Sequence, residues 1–188
     1  NAGAVKGALM LERLVKEGLM PAGAKYPDME SQFAAGKTAL MINGPWAWDN
    51  VKKAKIDFAV APVPAVVPGL PSKPFVGVLG CMITAPSKLK DIGREFIENH
   101  LLKIDSLKTI SADVALGTPA NKAYFAELSS DPNIAATMAN ARAGEPIPNI
   151  PEMGRVWPAV DAALEAITQG RQSPKEALDG AAARVLTK

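Results

Sequence analysis

Apolar residues recur at helical spacing from the start of the chain. Ala4, Ala8, Leu11 and Val15 share one side of a wheel, Lys6, Arg13 and Glu17 fall elsewhere, and Gly18 supplies the stop. The segment PDMESQFAAGK predicts a second helix, opened by Pro27 and ended by Gly36, with Met29 and Phe33 one turn apart. The rhythm then changes. Thr38 to Ile42 (TALMI) is a short apolar run that predicts a buried strand, broken at Asn43-Gly44-Pro45, where Pro45 starts a helix. Asp57 to Val63 predicts a second strand. Phe75 to Ala85 (FVGVLGCMITA) predicts a third and longest one, in which Gly77 and Gly80 mark a bend or a close backbone approach.

Between the second and third predicted strands stand Pro62, Pro64, Pro68, Pro71 and Pro74. Proline lacks an N–H and fixes φ, so this stretch predicts a stiff connector at a boundary between packing units. Beyond Ala85 the pattern is mostly helical. Lys88 to Leu102 carries Leu89, Ile92, Phe96 and Ile97 at helical intervals, Ser106 to Ser111 is a weaker helix, and Leu116-Gly117-Thr118-Pro119 opens one that runs to about Leu128. Asp131-Pro132 caps the helix that holds Ile134 to Ala143. GEPIPNIPEM is a second proline-rich connector. The following helix places Val156, Val160, Leu164 and Ile167 on one face and ends at Gly170, and Ser173-Pro174-Lys175-Glu176 opens the last with a capping box. Strand-then-helix order predicts an α/β layer structure.

Composition narrows the function classes. With 48% hydrophobic and 21% charged residues over 188 positions, the chain is a folded one and not a disordered polyelectrolyte. A net charge of +2 gives no basic footprint for nucleic acid or an anionic membrane surface. One cysteine, Cys81, excludes an internal disulfide framework and a cysteine zinc site, and one histidine, His100, leaves imidazole chemistry almost no material. Cys81 reads as a small hydrophobe inside an apolar strand. No phosphate-loop, dinucleotide, zinc-protease or calcium-loop pattern is present, so the sequence predicts no catalytic residue, no cofactor and no metal.

The aromatic residues say more. Trp46 and Trp48 are two positions apart, about 200° around a helix, so one packs inward and the other does not. Trp46 sits beside Gly44 in the first turn beyond a predicted strand, where ligands collect in open α/β sheets, and both a ligand platform and a core tryptophan fit that position. Trp157 lies about 100° off the predicted apolar stripe of its helix. Pro158 follows it, which predicts a helix start or kink there and an exposed indole, against the alternative of a tryptophan capping a hydrophobic edge. Tyr26, in the loop AGAKYPD, offers a third ring with a hydroxyl. Together the rings suit a polar ligand with apolar faces, and a sugar has that character.

Five strings carry a family resemblance: TALMINGPWAWDN (38–50), PSKPFVGVLG (71–80), LGTPANKAYFAEL (116–128), DPNIAATMANARAGEPIPNIPEM (131–153) and GRQSPKEAL (170–178). In that order and spacing the chain resembles the periplasmic maltose/maltodextrin-binding proteins of bacterial ABC importers, over essentially its whole length. The resemblance implies an α/β, periplasmic solute-binding-protein-like two-lobe fold, here incomplete and limited to a helix-rich C-terminal portion. It implies no catalytic activity, a periplasmic location, maltose or maltodextrin as ligand in an interlobe cleft, and the membrane permease subunits as partners. Residues 1–75 resemble part of the C-terminal lobe, 76–80 a hinge crossing, 81–126 part of the N-terminal lobe, 127–132 the return crossing, and 133–188 the rest of the C-terminal lobe. By position Trp46 and Trp157 resemble sugar-stacking tryptophans, Tyr26 resembles an aromatic reached by longer dextrins, and Ile147 stands where the best-known members have a ligand-contacting methionine. Pro158 and Asp161 depart from the pattern, which has an aromatic and an arginine there.

Two expectations follow from incompleteness. Stacking platforms without most hydroxyl partners imply weak or undetectable maltose binding by the 188 residues alone. Lobe pieces without their complements imply exposed apolar faces and self-association. Another oligosaccharide is an alternative ligand. From other classes, a glycosidase would need facing carboxylates, of which Asp161 is the one nominee, and an interaction module would meet a protein through its tryptophans.

Overall fold

The computed structural model describes residues 1–65 and 67–187. In chain order it contains α1 (Ala2–Lys16), α2 (Tyr26–Ala34), a 3-10 turn (Pro45–Ala47), α3 (Trp48–Lys53) and β1 (Phe75–Val76). Next come α4 (Lys90–Phe96), which continues into a π-helical turn (Ile97–Leu101), α5 (Ile104–Asp113), α6 (Lys122–Leu128) and α7 (Pro132–Ala143). The chain closes with β2 (Glu145–Pro146), α8 (Met153–Thr168) and α9 (Pro174–Leu186). The result is helix-rich, with one small parallel sheet among the described residues. Two compact units divide it, one formed by Asn1–Met29 with Pro148 onward, the other by Glu30–Ile147.

The first unit is built on alanine. Ala159, Ala163 and Ile167 of α8 meet Ala177 and Ala181 of α9, with Ala8 of α1 completing the cluster and Leu178 and Val185 at its side. Small side chains let helix axes approach closely, so area is gained by proximity and not by bulk. This corrects the predicted stripe: of Val156, Val160, Leu164 and Ile167 only Ile167 is fully buried, and Leu164 is exposed. The buried alanines fall three residues after predicted positions (Ala159 after Val156, Ala163 after Val160), about 60° around the wheel. Gly18 and Ser173 act where the sequence predicts, and Asn1 adds a cap that was not expected. Asn1 Oδ1 accepts from Ala4 N–H at 2.8 Å, and Gly18 leaves α1 with φ +71°. At α9, Ser173 Oγ accepts from Glu176 N–H while Glu176 Oε2 accepts from Ser173 N–H at 3.1 Å.

The predicted helix start at Pro158 also needs correction. α8 begins at Met153, five residues earlier, so Pro158 lies inside the helix and Trp157 in its second turn. Similarly, α6 begins at Lys122, where Asn121 Oδ1 accepts from Ala123 and Tyr124 N–H, and not at the Gly-Thr-Pro run before it.

In the second unit the predicted strands are the main departure. Thr38–Ile42 forms no strand, and Leu40 and Ile42 face solvent. Of Phe75–Ala85 only Phe75 and Val76 pair. The rest is exposed and forms no strand, so Cys81 is an exposed thiol and not a strand-core residue. A strand exists only through a neighbour that accepts its backbone bonds, and among the described residues none runs beside these segments. β1 finds its partner within the predicted connector: Glu145 N–H donates to Pro74 O at 3.0 Å and Ile147 N–H to Val76 O at 3.1 Å. Pro146 falls between these donors, at the position that needs no N–H. Gly144 makes the approach, since a Cβ there would stand 2.4 Å from Pro74 O.

Asp57–Val63 is also not a strand, yet three of its backbone groups find side-chain partners. Val60 N–H donates to Asn133 Oδ1 at 3.0 Å and Val63 N–H to Asn140 Oδ1 at 2.9 Å, while Asn140 Nδ2 donates to Ala61 O at 3.3 Å. Two asparagines seven residues apart on one face of α7 thus do the work of a neighbouring strand. The proline-rich connector is irregular, with a tight turn at Val67–Leu70, and its Val66 lies outside the described residues.

Candidate functional site

Trp46 and Trp48 divide as their spacing requires. Trp48 is buried with Ala47 and Val51, whereas Trp46 is 66% exposed. The turn that carries Trp46 is built by its neighbours. Asn43 Oδ1 accepts from Gly44 N–H at 2.8 Å, Asn43 Nδ2 donates to Glu30 Oε1 at 3.2 Å, and Pro45 opens the 3-10 turn. The indole of Trp46 folds back over Gly44, so closely that a Cβ there would stand 2.2–2.6 Å from three ring atoms. Gly44 has φ −116° and ψ 178°, ordinary extended backbone, so the position demands space and not unusual torsions. Behind the turn, Gly117 (φ +70°) abuts Pro45, where a Cβ would come within 2.7 Å of Cγ. Asp49 Oδ2 accepts from Ala115 N–H at 3.0 Å and fixes the same loop to α3. The outcome is a braced aromatic ring packed closely against glycine.

In the other unit Trp157 is 50% exposed and stands about 180° around α8 from the buried Ala166. Asp161 and Glu165 follow at intervals of four on that same solvent side. Tyr26, 48% exposed, is the first residue of α2. The preceding residue ties it to α8: Lys25 Nζ donates to Glu165 Oε2 at 2.5 Å and lies 3.9 Å from Asp161 Oδ2. Arg171 Nη2 donates to the second oxygen of Glu165 at 2.9 Å. The hydrogen bond from Lys25 holds the Glu165 carboxyl below its ordinary range, and the same bond raises the Lys25 ammonium.

Ile147 belongs to the Glu30–Ile147 unit, directly after β2, and is 37% exposed. The structure thus gives all four sequence-derived candidates solvent-facing side chains, Trp46 and Ile147 in one unit and Trp157 and Tyr26 in the other. An open apolar hollow lined by Ile83, Leu89, Ile92 and Phe96 includes none of them. Sequence reasoning missed Lys25, Glu165 and Arg171. The four-residue steps from Trp157 to Glu165 were a visible signal, whereas a lysine 140 positions upstream of its partner was not. Among the described residues no three His, Cys, Asp or Glu side chains gather to hold a metal, and no helix is long and apolar enough to cross a membrane.

Comparison with known proteins agrees with a binding role. The family described as bacterial extracellular solute-binding protein matches residues 1–137. The galactooligosaccharide-binding protein of Bacillus subtilis (strain 168) is 33% identical over 97% of this chain and 44% of its own length. The maltodextrin-binding protein MdxE of the same organism is 25% identical over 96% of this chain and 44% of its length. The maltotriose-binding protein of Pyrococcus abyssi is 28% identical over 82% of this chain and 34% of its length. The chain therefore spans less than half the length of these relatives.

Proposed function

From membership of the bacterial extracellular solute-binding protein family, to which this chain belongs, we propose that it serves as the C-terminal portion of an oligosaccharide receptor that feeds an ABC importer. The family binds solutes and is not enzymatic, so a glycosidase role for Asp161 falls away. The observation that carries the sugar reading is Trp46: a solvent-facing indole, seated on Gly44 and braced by Asn43, Pro45 and Gly117. A pyranose has an apolar C–H face that a ring of this kind accepts, and burying that face releases water. Trp157 and Tyr26 offer two further rings, and Ile147 an apolar contact.

Which sugar is a finer matter. The NGPWAW and SKPFVGVL strings favour maltose or maltodextrin, while the galactooligosaccharide-binding relative is the more identical of the two named from Bacillus subtilis. We take the ligand as a neutral oligosaccharide, with an α-glucan as the first candidate and a galactooligosaccharide as the second. The location we propose is the periplasm or its equivalent outside the cytoplasmic membrane. The lobe assignment that accompanies this reading places residues 1–75 and 133–188 in the C-terminal lobe and 81–126 in the N-terminal lobe, with crossings at 76–80 and 127–132.

The test is a panel of maltose, maltotriose, maltotetraose and a galactotriose, titrated into the natural protein by calorimetry and followed by tryptophan fluorescence. Trp46→Ala is expected to weaken binding of the accepted sugar by roughly 5- to 150-fold, the scale of one aromatic platform taken by analogy with base stacking. Trp157→Ala is expected to act in the same direction. No heat and no fluorescence change with every sugar, at millimolar concentration, would end the reading.

A further inference from the structure

We infer that Lys25 is a positioning residue: by tying its loop to α8 it fixes where the next residue, Tyr26, presents its ring. The inference rests on the sugar reading for Tyr26 and adds the device that sets its place. The loop between α1 and α2 touches α8 and its C-terminal exit at two points. Gly23, with φ +66°, lies against Gln169, so that a Cβ would stand 2.9 Å from Nε2. Two residues later Lys25 Nζ reaches Glu165 at 2.5 Å, and Arg171 holds the other oxygen of that carboxylate at 2.9 Å. The Lys25 backbone is fixed as well, its N–H donating to Asp28 Oδ2 at 2.9 Å. Tyr26 therefore leaves a loop whose side chain and main chain are both tied one residue before it.

The glutamate that receives the tie lies two turns along α8 from Trp157 on the same side, with Asp161 between them. A solvent-exposed ion pair contributes little to global stability, because water screens it and two long side chains lose freedom to form it. A three-member chain, Lys25–Glu165–Arg171, spanning 140 residues of sequence separation at its first link, has instead a local effect: it removes the freedom of the loop that presents Tyr26.

The test uses Lys25→Met, Lys25→Arg, Glu165→Gln and Tyr26→Ala in the natural protein, with affinity for its accepted oligosaccharide read by calorimetry and the thermal midpoint read beside it. Lys25→Met and Glu165→Gln are each expected to weaken binding about 3- to 10-fold with little change in midpoint, and the conservative Lys25→Arg to keep most of the wild-type affinity. In a Tyr26→Ala background Lys25→Met is expected to have no further effect, whereas in a Trp46→Ala background it keeps its full effect. Unchanged affinity in Lys25→Met, or losses that multiply independently with Tyr26→Ala, would overturn the positioning role alone. A wild-type protein that takes no saccharide would overturn the sugar reading and this inference with it.

Discussion

An indole laid against a glycine is only as steady as that glycine is small. Gly44→Ala leaves backbone torsions that any residue adopts, yet its methyl would collide with three atoms of the Trp46 ring. The ring must swing away, so the variant is expected to fold with a near-wild-type thermal midpoint and to approach Trp46→Ala in sugar affinity. Near-UV circular dichroism would show the displaced indole directly. A second consequence at this scale concerns protons. Glu165 is held below the ordinary value of 4.5 by its hydrogen bond from Lys25, so the contribution of that bond is present at neutral pH and is lost as pH falls through the lowered native value. Glu165→Gln is expected to remove that part of the acid dependence and to lower the neutral-pH midpoint by the same small amount that the wild type loses through this titration. The division of labour between Trp46 and Trp48 was legible in the sequence, because a two-residue step cannot keep two rings on one face. That Gly44 serves as a seat for its neighbour was not legible, since a glycine before proline fits many turns.

At the scale of elements, helices were readable and strands were not, and the reason is physical. A helix closes its own hydrogen bonds, so caps such as Asn1, Asp131 and Ser173 settle its start from nearby residues alone. A strand depends on distant chain. TALMI has the composition of one and finds no neighbour among the described residues, whereas Glu145–Pro146 looks like a connector and pairs because Gly144 permits contact. The segment around Val60 shows a third outcome, a strand-like sequence served by side chains. Asn140→Leu would strip Val63 N–H and Ala61 C=O of their partners, and the expected loss is about 1–3 kcal/mol in chemical denaturation. The alanine contact between α8 and α9 makes the opposite prediction about size. Ala163→Leu inserts bulk where the side chain is only 1% exposed, and should cost about 1–3 kcal/mol.

At the scale of the molecule, the helix-rich composition of the fold and the solvent exposure of Trp157 match what the residues suggested, and Trp46, which fitted platform and core alike, is exposed. Leu40, Val78, Leu79 and Met82 stand open to water, and Leu79 is fully so. Exposed apolar side chains gathered on segments without a strand partner favour association. The 188 residues prepared alone are therefore expected to bind an apolar dye such as ANS and to show light-scattering mass that rises with concentration. Maltose affinity of that polypeptide should be weak or undetectable by calorimetry.

Covalent chemistry can imitate that association. The sole thiol of the chain, Cys81, lies in the same open stretch, next to Met82. In aerated buffer two such polypeptides meeting through these side chains would bring sulfurs within reach and lock by oxidation, and a lone sulfhydryl gives at most a pair. Dithiothreitol dissolves that bond and leaves hydrophobic contact untouched, so a ladder of masses surviving reductant and a doublet erased by it are different species.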